Sequence, residues 1–306
     1  MLNACMGSLM ELVERDPRIL YLTADSGEGG LDLMFRRNFP DRCFDFGIAE
    51  QNMTGAAAGL AASGKIPFIY VPTPFLVYRA FEFLRNDICL QNYPVKIIGT
   101  GSGLSVSSLG PTHHSTEDLG SLRSLPNLRI LSPATPLQAW ACIENAYSVK
   151  GPVFIRVETT QPSEYYSEGY SLPTAGFDLL REGAKGLILS TGSILTETMK
   201  TAEILGNDGI NLSVANISIL KPVNVSMLLP LLVRSNLVFT VEEHNIIGGL
   251  GSLIAEIIAT ERLNIQLIRI GLNDKFSVGY GTLLQVRKEN GLDADSITDI
   301  IRKTMI

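Results

Sequence analysis

Short apolar runs that alternate with longer stretches of helical periodicity constrain this chain more than any other feature. Residues 19–23, 65–71, 95–99 and 153–157 read as buried strands. Residues 49–62, 75–90 and 136–149 read as helices between or after them. Strands alternating with helical patterns predict βαβ units and a parallel sheet. Pro133 and Pro136 bracket a strand-to-helix turn, because proline is tolerated in the first helical turn. The pattern stops near Thr159. Residues 159–183 carry Gln161-Pro162-Ser163-Glu164-Tyr165-Tyr166 and further glycines without periodicity, which reads as a surface linker. It then restarts, with strands at 186–190, 212–217, 237–241 and 266–270. Helices fall at 194–205, from the Gly248 turn to about Thr260, and at 293–303, where Asp293 suits an N-cap. The expected fold is α/β with two doubly wound domains, at 1–160 and 183–306, joined by a linker at 161–182.

The 306 residues suffice for two domains of ordinary size. A hydrophobic fraction of 45% against 18% charged describes a chain with a large core. A net charge of −6 argues against nucleic acid or an anionic membrane as the main partner. No apolar run approaches the roughly 18 residues that span a bilayer. The Met1 end shows no signal region and reads as an amphipathic helix, so the cytoplasm is the expected location. Cys5, Cys43, Cys89 and Cys142 are scattered without a CxxC, and read as isolated thiols rather than staples.

Three segments carry chemistry. The first is Asp45-Phe46-Gly47-Ile48-Ala49-Glu50-Gln51-Asn52-Met53-Thr54-Gly55, which leads into a helix of alanine and glycine. Glu50 sits where a strand gives way to that helix. On its own it reads as a helix-start carboxylate favoured by the macrodipole. Apolar Ile48 and Met53 beside it would shield a carboxyl group and raise its proton affinity. The second runs from Pro74 to Arg85, with Phe75, Tyr78 and Phe81 at helical spacing. Such a stripe is ordinarily a core face. Here it follows a strand and Pro72-Thr73-Pro74, so its first turn falls at the carboxyl edge of a sheet, where open α/β folds bind ligands. The third is the polar loop Gly110-Pro111-Thr112-His113-His114-Ser115-Thr116-Glu117-Asp118. Two adjacent histidines without a third ligand are poor support for zinc.

In order and spacing these segments resemble transketolase. So do Val241-Glu242-Glu243-His244, Gly248-Gly249-Leu250-Gly251 and Gly271-Leu272-Asn273-Asp274-Lys275-Phe276. The resemblance covers essentially the whole chain. It implies a thiamine-diphosphate-binding pyrimidine domain followed by a transketolase C-terminal domain. 1-Deoxyxylulose-5-phosphate synthase and the β chains of 2-oxoacid dehydrogenases are relatives. It implies that Glu50 shares a proton with the aminopyrimidine ring of thiamine diphosphate. Tyr78 would stack on that ring, Phe75 and Phe81 would line the pocket, and Asp25 would lie nearby. His113, with His114 beside it, would meet substrate hydroxyls, and Arg156 would hold a substrate phosphate. The family's C-terminal domain is not catalytic, so His244 reads as structural. The Gly248 turn could be an anion cradle at a helix N-terminus or a packing turn.

The Gly-Asp-Gly segment with its downstream Asn pair is absent from the sequence. The resemblance therefore implies that no metal ligand lies here. A separate N-terminal subunit of a little under 300 residues would bring the diphosphate and Mg²⁺ site, in an α2β2 heterotetramer. Several substrate-facing positions depart from the family. Leu2 and Asn3 stand where an arginine is usual, Ser26-Gly27-Glu28-Gly29-Gly30 fills the first turn, a histidine is missing near Gly101, and Leu109 precedes the Gly110 loop. The expected activity is transfer of a two-carbon ketol unit from a ketose to an aldose, either on sugars or sugar phosphates other than the usual pentose phosphates or with phosphate contacts supplied by the partner. The alternatives are a 1-deoxyxylulose-5-phosphate-synthase-like or 2-oxoacid dehydrogenase β activity and, in another class, a non-catalytic binding or regulatory subunit. A stand-alone Rossmann binder is disfavoured, because Gly99-Thr100-Gly101-Ser102-Gly103 lacks the G-x-G-x-x-G form.

Overall fold

The apolar runs of the first half form the parallel strands their pattern predicts. The computed structural model describes residues 1–24 and 31–305. In the first half, β1 (Ile19–Thr23), β2 (Cys43–Asp45), β3 (Ile66–Pro72), β4 (Lys96–Thr100), β5 (Arg129–Leu131) and β6 (Val153–Arg156) make the body of one sheet. In the second half, β7 (Phe177–Arg181), β8 (Leu187–Ser190), β9 (Ser213–Ile217), β11 (Leu237–Asn245) and β12 (Gln266–Leu272) make another. The short strand β10 (Ile219–Lys221) comes from the second half but joins the first sheet, antiparallel to β5. The first sheet runs β10-β5-β6-β4-β3-β1-β2 and the second β12-β11-β8-β9-β7.

Strand order places the candidate site. From β1 the chain moves to β2 on one side, then returns to β3 on the other side of β1. The strand order therefore reverses between β1 and β3, the kind of position at which such sheets take ligands. Residues 49–55, 73–79 and 101–118 all leave strands at this edge.

Alternation along the strands builds the layers. Ile19 and Tyr21 face the helices Leu2–Arg15 and Pro136–Ser148. Leu20 and Leu22 face the opposite way, toward Met53, Ala57 and Ala61 of the helix Glu50–Ala62. That second layer continues through Leu187, Leu189 and Ala215 of the second sheet, so the two halves share one apolar core. The far face of the second sheet packs Ile188 and Phe239 against Leu205 and Ile301. No helix among the described residues is long and apolar enough to cross a membrane. Cys5, Cys89 and Cys142 are buried thiols, and burial pushes the first two up to about 12.

Two regions depart from the sequence expectation. The helix expected at 75–90 is broken: Thr73–Arg79 ends at Ala80, a turn at Phe81–Phe83 follows, and Leu84–Cys89 continues with a π turn. Such irregularities cluster where a side chain must be re-aimed at a site. The interval expected to be a linker contains β7, the antiparallel edge strand of the second sheet. Its residues are half-buried or exposed, so it shows no continuous apolar run.

Candidate active site at the carboxyl edge of the first sheet

Glu50 is placed by a tight turn. After β2, Asp45 Oδ1 accepts a hydrogen bond from the Gly47 amide at 2.9 Å. Gly47 takes the left-handed φ of 63° that a side chain resists. The chain then enters the helix at Glu50, a residue only 4% exposed. A carboxylate suits the positive end of a helix, yet this one is turned inward rather than toward water. Its Oε1 accepts a hydrogen bond from Arg79 Nη1 at 2.8 Å. Met53 is buried as expected, but Ile48 is 75% exposed and does not shield the carboxyl group in this chain by itself.

Arg79 connects the first two segments. Its guanidinium also lies over the Phe75 ring, 4.3 Å from the centroid, a favourable cation–π contact. Phe75 meets the His113 ring edge-on, with centroids 5.2 Å apart. Glu50, Arg79, Phe75 and His113 thus form one contiguous row. Tyr78, expected to be the stacking ring, is half exposed. Its hydroxyl donates to Glu117 Oε2 at 2.8 Å. Burial and the Glu117 carboxylate push its ionisation well above the usual tyrosine range. Phe81 packs partly against the core under the helix Glu50–Ala62. Phe75, rather than Tyr78, is the aromatic ring that touches the histidine.

The two adjacent histidines separate. His113 is half-buried, and its Nδ1 is hydrogen-bonded to Thr112 Oγ1 at 2.9 Å. His114 is only 3% exposed and faces the second half of the chain, where Nδ1 is joined to Ser277 Oγ at 2.6 Å. Burial lowers its proton affinity, so it is the neutral imidazole near neutral pH. The His114 ring, expected to meet substrate, lies inside the protein.

Arg156, expected to hold a substrate phosphate, is also inside the protein. Its side chain is 1% exposed and fully engaged. Nε donates to Asp118 Oδ2 at 2.8 Å, while Nη2 donates to the carbonyls of Ser115 and Glu243 at 3.1 and 3.0 Å. It binds the two halves together rather than facing an incoming anion. A buried charge must be paired, and neighbours extend the pairing. Glu158 accepts from the Ser193 amide at 2.9 Å and from the Ser193 hydroxyl. Glu243 accepts from the Leu104 amide at 3.1 Å and from Arg287. Burial, with Glu243 nearby, pushes Glu158 up to about 7. Its ordinary value in an unfolded chain is 4.5. The folded state then holds the proton more tightly, and Glu158 withdraws stability as pH rises from about 4.5 to about 7. Glu158→Gln cannot ionise. The melting temperature of that variant, minus that of the parent, should rise across this window and level off above it in a pH series of thermal melts.

Asp25 lies outside the described residues. His244 is buried, with Nδ1 hydrogen-bonded to the Asn245 carbonyl at 2.6 Å and Nε2 accepting from the Gly120 amide at 3.3 Å. The Gly248 turn is already occupied by a carboxyl group of the protein's own. Glu242 accepts from the amides of Leu250 and Gly251 at 2.6 and 2.8 Å, capping the helix Leu250–Thr260. Among the described residues no group of His, Cys, Asp and Glu side chains is placed to hold a metal. Sequence reading missed Arg79 and Glu117 as site neighbours. Arg79 falls four residues after Phe75, the spacing that brings two side chains together on a helix. Glu117 lies in the histidine loop, but only the fold shows Tyr78 reaching it.

Protein-family models match both halves: the transketolase pyrimidine-binding domain over residues 1–162 and the transketolase C-terminal domain over 176–297. The chain is 36% identical over 298 residues to one subunit of the apulose-4-phosphate transketolase of Actinobacillus succinogenes, covering 97% of this chain and 96% of that one. It is 35% identical over 295 residues to 1-deoxy-D-xylulose-5-phosphate synthase of Caldanaerobacter subterraneus subsp. tengcongensis. That match covers 96% of this chain but 47% of the synthase, so the chain spans about half of such relatives. Among solved structures, a split-gene transketolase described as an inactive β4 tetramer superposes with a TM-score of 0.89. The two are 33% identical, covering 99% of this chain and 97% of that one.

Proposed function

We propose, from the premise that this chain belongs to the transketolase family, that it is the C-terminal subunit of a two-subunit transferase dependent on thiamine diphosphate. The reaction moves a two-carbon ketol unit from a ketose to an aldose. The observation that carries this reading is Glu50, a carboxylate turned into the protein at the topological switch point and lined up with Phe75 and His113. A helix-start glutamate with only a capping task would have no reason to be so enclosed. The site fits the ring end of the cofactor: an inward carboxyl group, two aromatic rings, and an open apolar neighbour in Ile48. Thiamine diphosphate supplies a nucleophilic carbon that holds the transferred unit.

This chain's residues do the rest. Glu50 holds a proton against the aminopyrimidine N1′. Phe75 and Tyr78 bound the ring, and Arg79 orients the carboxyl group through Glu50 Oε1. With Nδ1 tied to Thr112, Nε2 is the His113 nitrogen that meets a substrate hydroxyl or developing oxyanion. His113→Ala should then lower kcat by about 10²–10³, the usual effect of removing one such donor, with cofactor affinity kept. Steady-state kinetics and calorimetry check the two halves of that statement. An N-terminal subunit would hold the diphosphate and Mg²⁺, and two copies of each chain would form an α2β2 assembly. With Arg156 withdrawn into the interior, recognition of a substrate phosphate falls to other residues or to the partner.

Titration of thiamine diphosphate with Mg²⁺ tests the reading, first on this chain alone and then with an N-terminal subunit of transketolase type. Binding only in the mixture is expected. Tight binding by the chain alone, or none in either sample, overturns it. The match to the synthase keeps a second reading open to the same assay. Release of CO₂ from pyruvate would assign the chain to the synthase-like reaction, and ketol transfer without it to the transketolase reaction.

A further inference from the structure

We propose that the segment between β12 and the helix Leu283–Glu289 is a strap that positions His113. The C-terminal half then takes part in setting the active-site geometry. The inference rests on the functional reading above for the role of His113, while the restraint itself is read from the fold. The loop after β4 runs from Gly101 to Glu117 before the helix Asp118–Leu122, long enough to need holding in place. The strap grips it at three points. Ser277 Oγ is hydrogen-bonded to His114 Nδ1 at 2.6 Å, with both side chains buried. Ser107 Oγ donates to the Gly281 carbonyl at 2.7 Å, and the Gly281 amide donates back to the Ser107 carbonyl at 3.3 Å. The Tyr280 ring covers Gly110 so closely that a Cβ there would stand 2.2 Å from a ring carbon.

These grips converge on one turn. The Gly110 carbonyl accepts hydrogen bonds from the amides of both His113 and His114, at 2.9 and 3.1 Å. Fixing Gly110 and the His114 ring therefore fixes the peptide that carries His113. The strap has its own anchors. Asn290 bonds both the amide and the carbonyl of Val278, at 3.0 and 2.8 Å. Thr282 and Gln285 form a capping box at the start of the next helix. His114 and Ser277 are thus positioning residues that act through His113.

Only three histidines occur in the chain, so their ring resonances can be followed one by one. In the full-length chain, Ser277→Ala should shift His114 and also broaden or shift His113, leaving His244 unmoved. Ser277→Thr should restore the His113 signal. Ser107→Ala, at a half-buried site, should move His113 in the same direction should Ser277→Ala fold poorly. In the assembled enzyme kcat should fall by about tenfold for a displacement well under an ångström, with substrate KM and thiamine diphosphate affinity kept. A change confined to His114, or a lower melting temperature with His113 and kcat unmoved, overturns the proposal. If the parent assembly shows no ketol transfer, the functional reading fails, and the resonances still decide whether the strap holds His113.

Discussion

Glu50→Gln, assembled with an N-terminal subunit, should lose turnover by about 10²–10⁴, the range expected when a positioned proton carrier is removed. The amide keeps the shape of the side chain and a hydrogen-bonding oxygen, but it cannot take up and return a proton. Little stability should go with the activity. Arg79 is about half exposed, so its ion pair with Glu50 contributes at most about 1 kcal/mol. The loss of a charge at the helix start costs about 0.3–1 kcal/mol more. The melting temperature should therefore move by a few degrees while the rate collapses. If the partner subunit grips the diphosphate as proposed, thiamine diphosphate should still bind this variant in calorimetry. Unchanged turnover would return Glu50 to the role of a helix-start carboxylate.

That such a prediction can be framed from one carboxylate shows what the sequence makes visible. The strands β1, β3, β4 and β6 are buried on both faces, and each writes a short, largely apolar run into the sequence. The helix Glu50–Ala62 is marked by its small residues, and Pro136 marks the start of the helix it opens. Motifs contiguous in sequence fall together at one sheet edge, because a strand end and the turn after it travel together. The shortest strands were harder to see. β2, β5 and β10 have three residues each, and β10 crosses from one half of the chain to the other sheet. No local pattern announces such a crossing.

Side-chain direction was the least legible feature of all. His113 and His114 are neighbours in sequence, yet one meets Phe75 and the other Ser277. The difference arises from the turn closed on the Gly110 carbonyl, not from residue type. Tyr78 and Phe75 sit on one helix, but only Phe75 faces the histidine, while Tyr78 finds Glu117 across the loop. Ser277 lies 163 residues from His114, a separation at which a single sequence carries no pairing signal.

The same blindness explains Arg156, and a substitution there separates the two roles most sharply. Arg156→Met should destabilise the fold by about 3–5 kcal/mol, since it leaves Asp118 as a buried charge without its partner. In a chain of this size the melting temperature should fall by on the order of 10 °C. The carbonyls of Ser115 and Glu243 would lose their donor as well, loosening the contact between the two halves. Adding Asp118→Asn should recover part of the loss, because the orphaned carboxylate is then gone. Asp118 also accepts from the Leu119 amide, which limits the recovery. An arginine that served only to hold a substrate phosphate would behave in the opposite way. The melting temperature would stay put, substrate KM would rise, and the second substitution would restore nothing. Thermal melts of the two variants, with KM measured on the assembled enzyme, decide between the roles. The buried geometry, with every guanidinium nitrogen facing a carboxylate or carbonyl of its own chain, predicts the first outcome.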